Sequence, residues 1–185
     1  MTNTLPEYQS IIDFWFQEIE PPAWWKKDPD FDQLLQERFG KVHAMATAGE
    51  LSGWRETALG RLAEIIVLDQ FSRNIFRDTQ QAFACDGIAL VLAQEAVSSG
   101  ADNELTPGQR AFLYMPYMHS ESPCIHEKAV DLFGAEGMSS GNLEFEMKHK
   151  AIIDRFGRYP HRNELFGRVS TDEEVAFLEG PGSSF

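Results

Sequence analysis

Three stretches of this sequence hold side chains able to bind ligands or move protons. The first is Leu68-Asp69-Gln70-Phe71-Ser72-Arg73-Asn74-Ile75-Phe76-Arg77. On a continuing helix, Asp69, Arg73 and Arg77 fall at i, i+4 and i+8 on one face, with Gln70 and Asn74 beside them. The stretch overlaps and continues Ile65-Ile66-Val67-Leu68, an uninterrupted run of large aliphatic side chains. Ionised groups beside so apolar a segment must pair with one another or line a cavity. A clamp between helices and the floor of a ligand pocket both meet that requirement.

The second stretch contains His149 and then Arg155-Phe156-Gly157-Arg158-Tyr159-Pro160-His161-Arg162-Asn163. Gly157 signals a helix end and Pro160 an extended or turned path, which puts His161, Arg162 and Asn163 in a loop. Loops held by rigid helices are where functional groups gather. The arginines suit an anion, and His149 or His161 suits acid–base work near neutral pH. The same arginines and asparagine equally suit the capping of helix carbonyls.

The third stretch is Met115-Pro116-Tyr117-Met118-His119-Ser120-Glu121, with His126-Glu127 close behind. Pro116 kinks or ends a helix here, which places His119 and Glu121 at its terminus. These residues fit no HExxH-like spacing and lack a third and fourth ligand, so no metal and no cofactor is expected. The chain has no GxSxG and no glycine-rich phosphate loop. The tryptophans Trp15, Trp24, Trp25 and Trp54 are expected in the core and helix seams rather than as a base-stacking platform.

The formal charge of −13 repels phosphate backbones and anionic bilayers, so neither nucleic acid nor membrane is expected as a partner. Charge is unevenly spread, however. Lys148 to Arg168 carries six basic residues against Asp154 and Glu164. Such an island is either neutralised by acidic neighbours or offered to an anion. No apolar run approaches the about 20 residues that span a bilayer, and Met1 to Glu7 does not read as a secretory signal. Cys85 and Cys124 form no CxxC and are expected to be buried, reduced thiols of a cytoplasmic protein.

The elements that must position these groups are helices. Tyr8 to Glu18 carries the stripe Ile11, Ile12, Trp15 and Phe16, and Pro21-Pro22 stops it. Asp28-Pro29, Thr106-Pro107 and Ser122-Pro123 are cap-then-proline starts, and Ser170-Thr171-Asp172-Glu173-Glu174 holds overlapping capping boxes. A helix from about Trp54 is apolar nearly all round and belongs at the centre of the packing. Others are expected from Phe83 to Val97 and from Asn142 to Phe156. The pattern predicts one all-α domain over 1–185, seven to eight helices joined as antiparallel hairpins. The tail Gly180-Pro181-Gly182-Ser183-Ser184-Phe185 is expected to fold back and dock Phe185 near Arg155, Arg158 or Arg168.

Together these blocks resemble the bacterial domain-of-unknown-function family numbered 924. The likeness rests on Asp13-Phe14-Trp15-Phe16, Leu68-Asp69-Gln70-Phe71, Arg73-Asn74-Ile75-Phe76-Arg77, His119-Ser120-Glu121, Arg155 to Asn163, Gly167-Arg168 and the final Pro181-Gly182-Ser183-Ser184-Phe185. Ser72, Lys150 and Tyr159 depart from it, where the family more often has proline, arginine and phenylalanine. The resemblance implies an all-helical fold similar to right-handed tetratricopeptide superhelices, and it carries over no catalytic residue.

The leading expectation is a helical binding module that holds a small anionic ligand or a peptide in a groove. Its candidate lining is Asp69, Gln70, Arg73, Asn74, Arg77, His119, Glu121, His149, Arg155, His161, Arg162 and Asn163. The alternatives are an enzyme on a small anionic substrate with a histidine acid or base, and a purely structural network. Convergence of the three stretches in space is expected under all three readings, because mutual pairing is the cheapest way to bury their charge. The sequence leaves the oligomeric state open.

Overall fold

The computed structural model describes residues 6–183, and among these no strand occurs. Helix α1 (Gln9–Asp13) runs on into a π turn (Phe14–Glu18), and a 3-10 turn (Pro21–Trp24) follows at the predicted proline stop. Asp28 opens α2 (Pro29–Thr47): its carboxylate accepts from the amides of Asp30 and Phe31, and Pro29 occupies a position where its missing N–H costs nothing. Helix α3 (Ala58–Ile66) begins later than the sequence suggests, because Ser52–Glu56 winds as a 3-10 turn and Thr57 supplies the cap. It continues through a π turn (Val67–Phe71) into α4 (Ser72–Ile75).

The helix expected from Phe83 is also shortened, since Gln80–Phe83 is a 3-10 turn and α5 spans Asp86–Ser98. Then come α6 (Pro107–Met118), α7 (Pro123–Phe133), α8 (Ser140–Phe156) and α9 (Asp172–Leu178). Thr106 with Gln109, and Thr171 with Glu174, form the reciprocal boxes that open α6 and α9. Gly157, at φ 69°, ends α8 in the left-handed region and releases the chain into the loop that carries His161 and Arg162.

The apolar stretch predicted to be central is central. Leu62, Ala63, Ile65, Ile66, Val67 and Leu68 are fully buried, and α3 packs against α1, α5 and α6. Helices α6, α7 and α8 pack as consecutive pairs. A second, smaller apolar group of Ile152, Ile153 and Tyr159, flanked by Phe156 and Phe177, fastens the post-α8 loop and α9 to α8. Trp15 and Trp54 lie in the core, whereas Trp25 is 64% exposed and stacks on Phe112. Cys85 is buried as expected, but Cys124 is exposed in the first turn of α7, so only one thiol belongs to the core.

Gly60 shows how tightly the start of α3 is packed. A Cβ there would overlap the Trp54 carbonyl oxygen, a backbone atom that cannot swing aside. Gly60→Ala is therefore expected to destabilise by about 1–3 kcal/mol through overpacking, although alanine is the better helix former. Urea unfolding checks this, and an unchanged or raised stability would refute the close approach. At the other end of the chain Ser183 is buried and its hydroxyl donates to Leu178 O at 3.1 Å. The expected docking of Phe185 lies outside the described residues.

Candidate functional site

A helix end leaves carbonyls without partners, and the end of α6 solves this with side chains from elsewhere. Helix α6 stops one half-turn after Pro116, with His119 as its C-cap. Tyr159 Oη donates to Met118 O at 2.5 Å, and His126 Nε2 donates to Ser120 O at 2.8 Å. The Nδ1 of His126 faces Glu146 Oε1 at 2.6 Å, both side chains being fully buried. Burial pushes the Glu146 carboxyl up. Glu121 completes the turn: its carboxylate accepts from the Tyr159 amide at 2.9 Å and from both Arg168 Nη atoms at 2.6 and 3.0 Å. The turn that carries His119 is thus fastened at Met118, Ser120 and Glu121.

Behind His119 stands Asp69, fully buried in the π turn that joins α3 to α4. His119 Nδ1 donates to Asp69 Oδ1 at 2.7 Å. Gln70 Nε2 donates to Asp69 Oδ2 at 2.6 Å, and Arg73 Nη1 lies 3.3 Å from Asp69 Oδ1. Burial alone would raise the Asp69 carboxyl, but Arg73 and His119 outweigh it and hold the group below the ordinary carboxylate range. An ionised Asp69 fixes the imidazole tautomer with its proton on Nδ1. Burial, reinforced by the Arg73 guanidinium, keeps His119 below the ordinary histidine value, so the ring is neutral at pH 7.

Arg73 is saturated. Besides Asp69, its Nη1 and Nη2 form a fork on Asp86 at 2.9 and 3.0 Å, and Nη1 also donates to Asp69 O at 2.9 Å. Arg162 is held differently. It is only 6% exposed, and among the described residues its sole side-chain acceptor is Asp86 Oδ2 at 3.4 Å and its buried Nε has no partner. Its guanidinium lies 4.5 Å from the Phe83 ring centre and 4.6 Å from that of Tyr159. Burial works against its charge and Asp86 for it.

These groups meet at a cleft of about 260 Å³. Its polar wall is His119, Ser120, Glu121, Asp86 and Arg162; its apolar wall includes Phe83, Leu90, Pro116 and Phe166. A larger hollow of about 390 Å³ lies against Glu7, Tyr8, Gln9 and Trp54, and its lining offers no cation or imidazole. Among the described residues no group of three His, Cys, Asp or Glu side chains is placed to hold a metal, and no helix is long and apolar enough to cross a membrane.

The three stretches do converge, through Asp69–His119, Arg162–Asp86–Arg73 and Tyr159–Met118. Not every candidate joins them. Helix α4 ends at Ile75, so Arg77 leaves the expected face and forks with Asp32 at 2.5 and 2.7 Å, where Asn74 also bonds at 2.8 Å. Arg155 is half exposed, pairs with Glu173 and lies over Phe156 and Phe177. Asn163 is buried against Ser170. His149 donates from Nδ1 to Phe145 O and packs edge-on to Tyr159. His161 packs on the same tyrosine, its ring centre 5.5 Å from that of Tyr159. Most of the basic island is neutralised, by Asp154, Glu173, Glu174 and Glu121 for Lys150, Arg155, Arg158 and Arg168.

Asp86, Phe83 and Phe166 are absent from the sequence-based set. Asp86 was legible only as a first-turn acid, and a helix drawn from Phe83 hides that position. The phenylalanines carry no signal apart from their size. A second histidine–hydroxyl pair lies in the core: Ser72 Oγ donates to Leu68 O at 2.6 Å, so His43 Nε2 must donate to it at 2.8 Å. With its hydroxyl proton spent and Ser72 fully buried, that pair is structural.

Residues 11–182 match the family model described as bacterial protein of unknown function, DUF924. A solved structure, that of the protein of unknown function ATU0120 from Agrobacterium tumefaciens, is 38% identical, with 94% of this chain and 97% of that chain covered at a TM-score of 0.89. No curated protein matches. With nearly its whole length matched and the helical fold shared, the chain belongs to the DUF924 family.

Proposed function

We propose that this protein is a binding module for a small organic anion, held in the cleft between α5, the end of α6 and the loop after α8. The observation that carries this reading is Arg162. A buried guanidinium with an unpartnered Nε and a single long bond is costly, and a carboxylate or phosphate in the cleft relieves that cost with charge-assisted bonds. Every other arginine of the network already has a close carboxylate. The Phe83, Leu90 and Phe166 wall favours a ligand with a compact apolar body behind its charged head, and about 260 Å³ limits it to a small molecule.

Benzoate and phenyl phosphate are therefore expected to raise the melting midpoint beyond what sodium chloride does at equal ionic strength. At a hundredfold excess over the dissociation constant the gain is about 2.7 kcal/mol, or roughly 5–10 °C for a chain of this size. Acetate and inorganic phosphate, lacking the apolar body, shift it less. In Arg162→Met the anion effect disappears while stability itself changes by less than about 1 kcal/mol, since Asp86 keeps its Arg73 fork. A wild-type midpoint that responds to none of these anions would remove the proposal.

A further inference from the structure

Resting on the anion-holding cleft proposed above, we infer that the cleft is also catalytic: His119 Nε2 is a general base that activates water against a small ester whose anionic group lies at Arg162. The geometry supports this in three ways. Asp69 accepts the hydrogen bond from Nδ1–H, so the ring's lone pair is on Nε2, and no side chain among the described residues bonds that atom. The turn beneath the ring is fastened on both sides of it, at Met118, Ser120 and Glu121, which fixes the direction in which the lone pair points. The ring lines the same cleft as Arg162 and retains 16% side-chain exposure, so both water and an anion reach it.

A side-chain nucleophile is not part of the arrangement. Ser120 Oγ accepts from the Ser122 amide and bonds neither His119 nitrogen. Cys85 lies at 3.9 Å from Thr47 in the core, and Cys124 is on the exposed first turn of α7. The attacking group is therefore water. As its O–H bond breaks, Nε2–H forms, and the water oxygen bonds the acyl carbon while the carbonyl π pair moves onto its oxygen. That pair then re-forms the carbonyl as the ester C–O bond breaks, and the departing oxygen takes the proton back from Nε2. Acid and alcohol leave, the imidazole is restored, and no oxidant, reductant or further reactant is consumed.

The surrounding charges suit this cycle. Facing His119 are Asp69 from the π turn, Arg73 from α4, Asp86 from α5, Glu121 from its own turn, Arg162 from the post-α8 loop and His149 from α8. Arg73 opposes protonation of the resting ring, while Asp69 stabilises the imidazolium that forms during turnover. Asp69 is a positioning residue, acting through His119. His43 differs, since its Nε2 is spent on the buried Ser72 hydroxyl.

The test uses the full chain with 4-acetoxybenzoate, an aryl ester bearing a carboxylate, beside the neutral phenyl acetate. The expected result is a kcat/KM at least about tenfold higher for the anionic ester. His119→Gln lowers it by about a hundredfold or more, as for loss of a general base, with an unchanged melting curve as the folding control. Asp69→Asn lowers kcat with KM unmoved and alters the pH profile, and Arg162→Met raises KM. The wild-type rate is flat above about pH 7 and falls in acid as Nε2 is protonated. Should Asp69→Asn fail to fold, that wild-type profile carries the positioning test. A rate no greater than that of His119→Gln overturns catalysis. If benzoate still raises the midpoint, the anion-binding reading survives alone; if benzoate is also without effect, both are lost.

Discussion

Arg73→Met is expected to lose about 3–5 kcal/mol of stability, the cost of stranding buried carboxylates, and roughly 10 °C or more of melting midpoint. The reason is that one guanidinium serves two acids. Asp69 is fully buried and keeps only His119 and Gln70 when Arg73 goes, while Asp86 loses its fork and retains one 3.4 Å contact with Arg162. His119 feels the change as well, because the charge that opposes its protonation is removed. The double variant Asp69→Asn/Arg73→Met is expected to be less destabilised than the sum of its singles, by about 0.5–3 kcal/mol of coupling. Urea unfolding of the four proteins measures this. A single-variant loss under about 1 kcal/mol would show that the cluster carries no structural burden.

The contrast with Arg162 separates two roles inside one cluster. Both arginines touch Asp86, yet one is saturated and the other is nearly unpaired. Removing the saturated one breaks the fold's own network. Removing the other relieves a desolvated charge and loses the long Asp86 bond and ring contacts with Phe83 and Tyr159, about 0.5–2 kcal/mol each way. Stability therefore discriminates a strut from a ligand-facing group where burial and residue type do not.

Much of this was legible in the sequence, and the failures have physical causes. Caps announce themselves locally, which is why Asp28, Thr106 and Thr171 were readable, and the apolar run ahead of Asp69 correctly put that carboxylate in the interior. The convergence of the three stretches followed from the cost of burying charge. What periodicity could not show was the π turn at Val67–Phe71 and the end of α4 at Ile75, which together part Arg77 from Asp69 and Arg73. It also could not show that Tyr159 and His126 hold the turn beneath His119, since each acts on a backbone carbonyl and carbonyls leave no mark in a sequence. The reach depends on the Tyr159 hydroxyl, which donates to Met118 O. Asp86 was missed for a simpler reason: it reads as an ordinary first-turn acid until the fold sets two arginines beside it.

Stability is expected to fall steeply on mild acidification, before most carboxylates titrate. His149 is pushed down to about 3 and His161 to about 4, in both cases first of all by burial. In the unfolded chain both titrate near the ordinary value of about 6.5. The folded pKa values are depressed, so the stabilisation is complete above about pH 6.5 and is lost as pH falls toward the folded values, because the unfolded state then binds the extra protons. At pH 5 each histidine forfeits about 2 kcal/mol. His43 and His119 are shifted in the same direction by burial, and Glu146, raised by burial, works against them as the pH drops. The net expectation is a melting midpoint roughly 8 °C lower at pH 5 than at pH 7.5. His149→Phe keeps a ring beside Tyr159 without a titrating nitrogen, and it should flatten about half of that slope. The imidazole resonances of His149 and His161 in the folded protein decide the point: if either titrates near pH 6, the acid loss has another source and burial of these rings is not its cause.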